Sequence, residues 1–459
     1  MSPNTPEPTA AAPRTLESLR ALPRWAALGA ASGVLAGLAC WAFLTGLDAA
    51  TDLRLDHPAL LYLLPVAGLA IGWAYQRFGG RAAEGNALLL DQVHQPTAWV
   101  PRRMAPMVAV GTVASHLFGA SVGREGTALQ MSGSLTDALA RQLGLRHEDR
   151  RVLLTAAIGG GFGAVFGVPL AGLAFGLEVQ RVTWHRPSGE RRSRPLLFAG
   201  FRDPAALHRV LATGAAALVG DRVVRALGHH HPRRPQLHVG IDAALLGRAA
   251  LAGVAFGLAA VAFVAATDLV RAGARQLPWP PLRPAVGGAL VVGAVALVGR
   301  SYLGLSLPLI DHALAGDPVG WKVPLLKLAF TALCLGSGFI GGEVTPLFVI
   351  GTTLGGALAP TLGLPPAAGA AIGFVAVFGG ATNTPVACTV MAFELFGRGA
   401  VAPAGVACAV AYLCSGDRGI YPTQLRPDGW PVSARRAGER FRGRGAGRAR
   451  SGPGSPSPR

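Results

Sequence analysis

The sequence predicts an all-α polytopic membrane protein built from two related halves. Three observations carry that expectation. Hydrophobic residues make up 51% of the 459 and charged residues only 14%, where a soluble domain carries about 25% charged residues. Apolar runs of helical length recur from residue 25 to residue 415, and no alternating strand of about 10 residues appears, which excludes a β-barrel. Matching motifs recur at separations of 218 and 216 residues.

The runs cover 25–50, 58–76, 104–119, 126–140, 152–180, 207–228, 242–270, 284–299, 323–340, 346–363, 366–380, 385–397 and 400–415. A bilayer core needs about 20 apolar residues per helix. Several runs are shorter, and several hold an internal Gly or Pro. Gly 63 and Pro 35 together form about a fifth of the chain, against an average of roughly an eighth. In a membrane protein this predicts a dozen or more helices, some broken or re-entrant. Cys40, Cys334, Cys388, Cys408 and Cys414 lie in or beside apolar runs without ligand spacing, so they read as small core residues. The first 23 residues show no apolar signal region, so no cleaved signal peptide is expected.

The net charge of +18 would suit a nucleic-acid binder if it were spread over a folded surface. Instead it sits in tails and loops, and all but Lys322 and Lys327 of it is arginine. The clusters are Arg14, Arg20 and Arg24, then 141–151, then 181–194, then the C-terminal tail. Such clusters mark the cytoplasmic side and place both termini there. Three regions follow: a cytoplasmic N-terminal segment (1–24), a transmembrane domain (25–422) and a disordered basic tail (423–459). The two halves of the domain run about 25–228 and 242–422. Residues 426–459 hold nine Arg against Asp428 and Glu439. With only Trp430 and Phe441 nearby, the tail lacks a stacking pattern, so anchoring to anionic lipid is expected rather than nucleic-acid binding.

The repeat is the most informative feature. Gly123-Arg124-Glu125-Gly126-Thr127 and Gly341-Gly342-Glu343-Val344-Thr345 share the pattern G-x-E-x-T. Leu129 and Gly133 follow the first copy as Leu347 and Gly351 follow the second. Pro169-Leu170-Ala171 leads to Glu178, and Pro385-Val386-Ala387 leads to Glu394 at the same spacing. An odd number of spans per half inverts the second half and brings broken helix ends together at the midplane.

Each G-x-E-x-T copy follows a small-residue turn and opens an apolar helical run. A helix start there leaves free N–H groups and the positive end of the dipole, which is an anion site. An intramembrane carboxylate is costly and marks function by default. The alternative is that Glu125 and Glu343 cap their own helices.

Here the motifs carry a resemblance. SerValGlyArgGluGlyThr at 121–127, GlyValProLeuAlaGly at 167–172, GlyGlyGluValThrPro at 341–346 and SerGlyAspArgGlyIleTyrPro at 415–422 resemble the CLC family of chloride channels and anion/proton antiporters. The resemblance covers about 25–422. It implies an inverted repeat with one pore per subunit of a homodimer, multi-pass in a cell membrane, here a bacterial inner membrane. Chloride-type members usually read G-R-E-G-P, G-S-G-x-P and G-x-F-x-P. Here Thr127 replaces the first proline, Gly85-Asn86-Ala87 stands in the first anion loop, and Glu343-Val344-Thr345-Pro346 stands in the last motif. These departures look like the bacterial fluoride/proton antiporter branch. Val179 stands where chloride exchangers carry an inner proton-transfer glutamate, which the fluoride branch also lacks.

The resemblance assigns Glu125 as gate and proton carrier, with Gly123, Arg124, Gly126 and Thr127 around it. It adds Gly85, Asn86, Glu343, Val344, Thr345 and Tyr421 to the anion site, for fluoride or chloride exchanged with a proton. Fluoride is small and strongly hydrated, so the Asn86 amide and the Thr345 and Tyr421 hydroxyls are donors suited to replace its water. Packing of Asn86, back-bonding by Thr345 and a turn-locked Tyr421 are the alternatives. Glu178 and Glu394 are expected to cap or pair, and Phe348 and Phe393 to lie in the core. His229, His230 and His231 lack ligand-spaced partners, so no metal is expected. The chain has no cofactor fingerprint, no HExxH helix and no nucleophile–base pair, so it reads as a transporter or passive channel rather than an enzyme.

Overall fold

The computed structural model describes residues 21–94, 96–185, 191–195, 204–416, 418–421 and 424. The basic tail and the segment before the first helix lie outside these residues. Sixteen α-helices are present among the described residues. The first eight are α1 (Leu22–Asp56), α2 (Leu64–Ala74), α3 (Asn86–His94), α4 (Met104–Leu117), α5 (Glu125–Gln142), α6 (His147–Phe166), α7 (Pro169–Glu178) and α8 (Pro204–Ala226). The second eight are α9 (Ala243–Ala274), α10 (Leu282–Val298), α11 (Leu307–Leu314), α12 (Lys322–Ser337), α13 (Val344–Leu362), α14 (Pro366–Thr382), α15 (Pro385–Phe396) and α16 (Arg398–Ser415).

The two sets correspond in order and length. α1 and α9 have 35 and 32 residues, α3 and α11 have 9 and 8, and α5 and α13 have 18 and 19. Only five segments are long and apolar enough to cross a membrane among the described residues. The shorter apolar helices are Met104–Leu117, Leu282–Val298, Pro366–Thr382 and Pro385–Phe396. Two short helices, α3 and α11, fell outside every apolar run because each mixes polar residues into less than three turns. A two-stranded antiparallel ribbon, Arg181–His185 with Arg191–Pro195, interrupts the otherwise helical chain in an arginine-rich loop.

Helix contacts repeat between halves too. A Cβ on Gly29 or Gly33 of α1 would lie 2.3 or 2.6 Å from the carbonyl of Ala212 or Ala216 on α8. On Gly253 or Gly257 of α9 it would lie 2.8 or 2.7 Å from the carbonyl of Ala407 or Ala411 on α16. Lipid supplies no hydrophobic drive between helices, so close backbone approach through small residues holds them together. The carboxylate of Glu178, ending α7, accepts from the N–H groups of Val386 (3.0 Å) and Ala387 (2.6 Å) at the start of α15. Glu394 of α15 reciprocates on Leu170 (2.9 Å) and Ala171 (2.7 Å) of α7. Each carboxylate thereby caps the other half's helix, satisfying N–H groups that lipid cannot.

The core between the halves is aromatic. Phe162 stacks on Phe175 at 4.3 Å and Phe348 on Phe374 at 4.1 Å, with Phe378 joining both pairs. Phe348 is a core residue as expected. Phe393 is not: it stands 40% exposed on the outer face of α15, because Glu394 takes the inward position next to it.

Candidate anion site

The two G-x-E-x-T segments meet in space. Gly123 N–H donates to the Gly342 carbonyl (2.6 Å), and Gly342 N–H donates to the Gly123 carbonyl (2.8 Å). An antiparallel pairing of repeat-equivalent residues is what a two-fold relation between halves produces. Only glycine permits it, since a Cβ on Gly123 would sit 2.8 Å from the Gly342 oxygen. The link brings the N-termini of α5 and α13 against each other in the protein interior.

Glu125 opens α5 and is fully buried. Its carboxylate is seated on the opposing helix. Oε2 accepts from Thr345 N–H (3.0 Å) and from Arg124 N–H (3.1 Å). Oε1 accepts from the Thr345 hydroxyl, and the Arg124 Nε lies 3.5 Å away. So the side chain does not cap its own helix in the ordinary way; it fills the anion position at the N-terminus of α13, where free N–H groups and the dipole favour negative charge. Val344 is buried at the first position of α13.

Asn86 starts α3 just after Gly85, whose φ is +61°. Its amide packs against Gly126, where a Cβ would lie 2.9 Å from Nδ2. Its Oδ1 is buried without a hydrogen-bond partner. Tyr421 is 4% exposed, and its hydroxyl is likewise buried and unpartnered. The turn that holds it is pinned on three sides. Ile420 N–H donates to the Ala381 carbonyl (2.9 Å). The Gln424 amide donates to the carbonyls of Val179 (3.2 Å) and Thr382 (3.0 Å). Two buried polar groups left free beside an anion seat are an exception to the usual satisfaction of buried polar atoms.

Not every expected residue converges. The Thr127 hydroxyl pairs with the Thr112 hydroxyl (2.6 Å), so it ties α5 to α4 and is spent there. Glu343 sits half-buried at the N-cap of α13, with Oε2 3.8 Å from the position of a Gly126 Cβ, and it takes no part in seating Glu125. Sequence reasoning passed over Gln130, which is 8% exposed with its amide about 3.5 Å from where a Gly85 Cβ would stand. A buried amide on the same helix as Glu125 was the available signal. It also passed over the pair Asp137–Arg150 (2.6 Å), which pins α5 to α6 and holds the Val100 N–H at 2.6 Å. His229 pairs with Asp48 at 3.6 Å.

A helical repeat whose broken helix ends meet around a buried carboxylate is the architecture of a membrane ion-transport protein. The family model for voltage-gated chloride channels matches residues 67–416, and the chain belongs to this CLC family. It is 45% identical over 422 residues to a chloride/fluoride channel protein of Pseudomonas syringae pv. tomato, covering 90% of this chain and 88% of the relative. It is 26% identical to the H(+)/Cl(-) exchange transporter ClcA of Yersinia pestis, covering 80% and 79%. A crystal structure of a CLC-type fluoride/proton antiporter superposes with a TM-score of 0.79 at 31% identity, covering 88% of this chain and 98% of that one. A slow cyanobacterial Cl-/H+ antiporter shares the fold at a TM-score of 0.71 and 17% identity.

Proposed function

We propose that the protein is a fluoride/proton antiporter that exports fluoride, with Glu125 as both gate and proton carrier. The observation that carries this reading is the seat of the Glu125 carboxylate on the Thr345 N–H and hydroxyl. Ionised, the carboxylate holds the site against an anion. Protonated, it loses its charge and its charge-assisted hydrogen bonds, leaves the seat, and an anion takes the vacated donors. One group alternates between anion mimic and proton carrier, so anion and proton move in opposite directions.

Two polar side chains near the broken helix ends suit fluoride over chloride. Asn86 presents an amide in a tight space against Gly126, and Tyr421 presents a free buried hydroxyl. Both suit a small ion that needs close donors to replace water. The chain works as a homodimer in a lipid bilayer, the bacterial inner membrane, with both termini on the arginine-rich side. Transport is assigned to residues 25–422.

Val179 supports a second reading, a passive anion channel, because an apolar, buried residue stands where exchangers of chloride carry a carboxylate. Liposomes loaded with fluoride and diluted into fluoride-free buffer separate the two. Antiport acidifies the lumen against no imposed proton gradient; a channel moves fluoride with no proton movement once the voltage is clamped.

A further inference from the structure

We propose a second, outer anion-docking site formed by Arg54 and His116 beside the buried Lys327, on the membrane face opposite the arginine-rich loops, taking a fluoride that still carries water. The inference rests on Glu125 being the gate below it. Arg24, near the start of α1, pairs with Asp149 in the first turn of α6 at 3.0 Å. α1 then runs 35 residues, about 52 Å, which is more than a bilayer core. Its last turn, with Arg54, therefore lies on the far side.

Three groups meet at the turn holding Gly304. A Cβ on Gly304 would lie 3.3 Å from Arg54 Nη2 and 3.9 Å from His116 Cδ2. The Gly304 carbonyl accepts from Lys327 Nζ at 2.8 Å. Lys327 is fully buried and also donates to Ser121 Oγ (2.9 Å), Ser306 Oγ (2.9 Å) and the Tyr302 carbonyl (3.3 Å). Four neutral acceptors occupy its hydrogens, so it has no free donor for an anion. Its partner Ser121 lies four residues before Glu125, in the turn that leads to the gate.

The free valences belong to the other two side chains. Arg54 Nε is buried without a hydrogen-bond partner. His116 is 1% exposed and donates from Nδ1 to the Thr112 carbonyl (2.8 Å). That bond fixes the tautomer and leaves Nε2 as an acceptor, which is also unpartnered. A bare anion satisfies only Arg54. An anion with one attached water satisfies both: the ion accepts from the guanidinium, and the water donates one hydrogen to the ion and one to Nε2. Arg54 supplies positive potential in a low-dielectric setting, which raises the local anion concentration. Fluoride, which gives up water reluctantly, fits this pairing of donor and acceptor.

The test uses full-length protein in oriented liposomes, with fluoride titrated on one face at a time. Arg54→Gln removes a charge at a half-buried position and keeps most of the bulk. The half-saturating fluoride concentration on the Arg54 face should rise roughly tenfold. Maximal flux, protons moved per fluoride and the opposite face should stay as in wild type. Arg54→Lys, keeping the charge, should fall in between. On the Arg54 face, half-saturation should climb more steeply with ionic strength in wild type than in Arg54→Gln. An unchanged value in Arg54→Gln, an equal rise on both faces, or equal salt slopes on the Arg54 face in wild type and Arg54→Gln overturns the docking site. Proton movement by wild type, read in the same vesicles, tests the gate separately, since the half-saturation readout does not depend on coupling.

Discussion

Gly126→Ala should erode the preference for fluoride over chloride without touching the gate. The new Cβ would stand 2.9 Å from Asn86 Nδ2 and 3.1 Å from Gly342 Cα. Ordinary contacts of this kind lie near 3.5 Å, so the amide must retreat by about half an ångström, because it is a side-chain end and the Gly342 backbone is fixed by its pairing with Gly123. A hydrogen bond stretched that far loses most of its strength. Bonds to a charged group are worth about 1.5–3 kcal/mol, so fluoride loses roughly 10- to 100-fold in affinity, while chloride, with looser donor demands, loses less. Fluoride and chloride efflux from the same liposome preparation give the ratio. Asn86→Ser supplies the control. It should itself lower the ratio, and in its background Gly126→Ala should add little, because no amide remains to be displaced. Additive effects of the two substitutions, or a wild-type ratio in folded Gly126→Ala, refute the packing argument.

Three further outcomes are expected. Glu178→Leu leaves the Val386 and Ala387 N–H groups without their acceptor, which costs about 1–3 kcal/mol per group; detergent-solubilised protein should melt several degrees lower, and an unchanged melt denies the cap. Deletion of residues 426–459 should leave fluoride flux intact, since every motif precedes the tail; lost flux in correctly inserted dimer contradicts this. Tyr421→Phe should reduce fluoride flux roughly tenfold while preserving folding, through the loss of one donor to the ion; equal flux removes Tyr421 from the site.

Much of this architecture was legible in the sequence, because lipid makes hydrophobic runs and small-residue stripes read plainly. The paired G-x-E-x-T segments announced that two helix ends meet, and the Gly123–Gly342 pairing is that meeting. The equal spacing from Pro169 to Glu178 and from Pro385 to Glu394 likewise became a reciprocal cap. What the sequence hid is orientation. Thr127 and Thr345 occupy equivalent places, yet one hydroxyl faces Thr112 and the other faces Glu125. A motif fixes spacing along a helix but not which neighbour a side chain meets. The Lys327 cage was equally hidden, since its acceptors come from Ser121 and from the turn at 302–306, far apart in the chain.

The central claim is that one carboxylate serves as anion mimic and proton carrier. It is tested most directly by comparing wild type with Glu125→Gln for proton uptake driven by an outward fluoride gradient in liposomes. An amide cannot carry a proton across, and it offers Thr345 no charge to hold. Wild type should pump protons inward, and Glu125→Gln should pass fluoride with no proton movement at all. Fluoride-driven proton uptake that persists in folded Glu125→Gln would contradict the account.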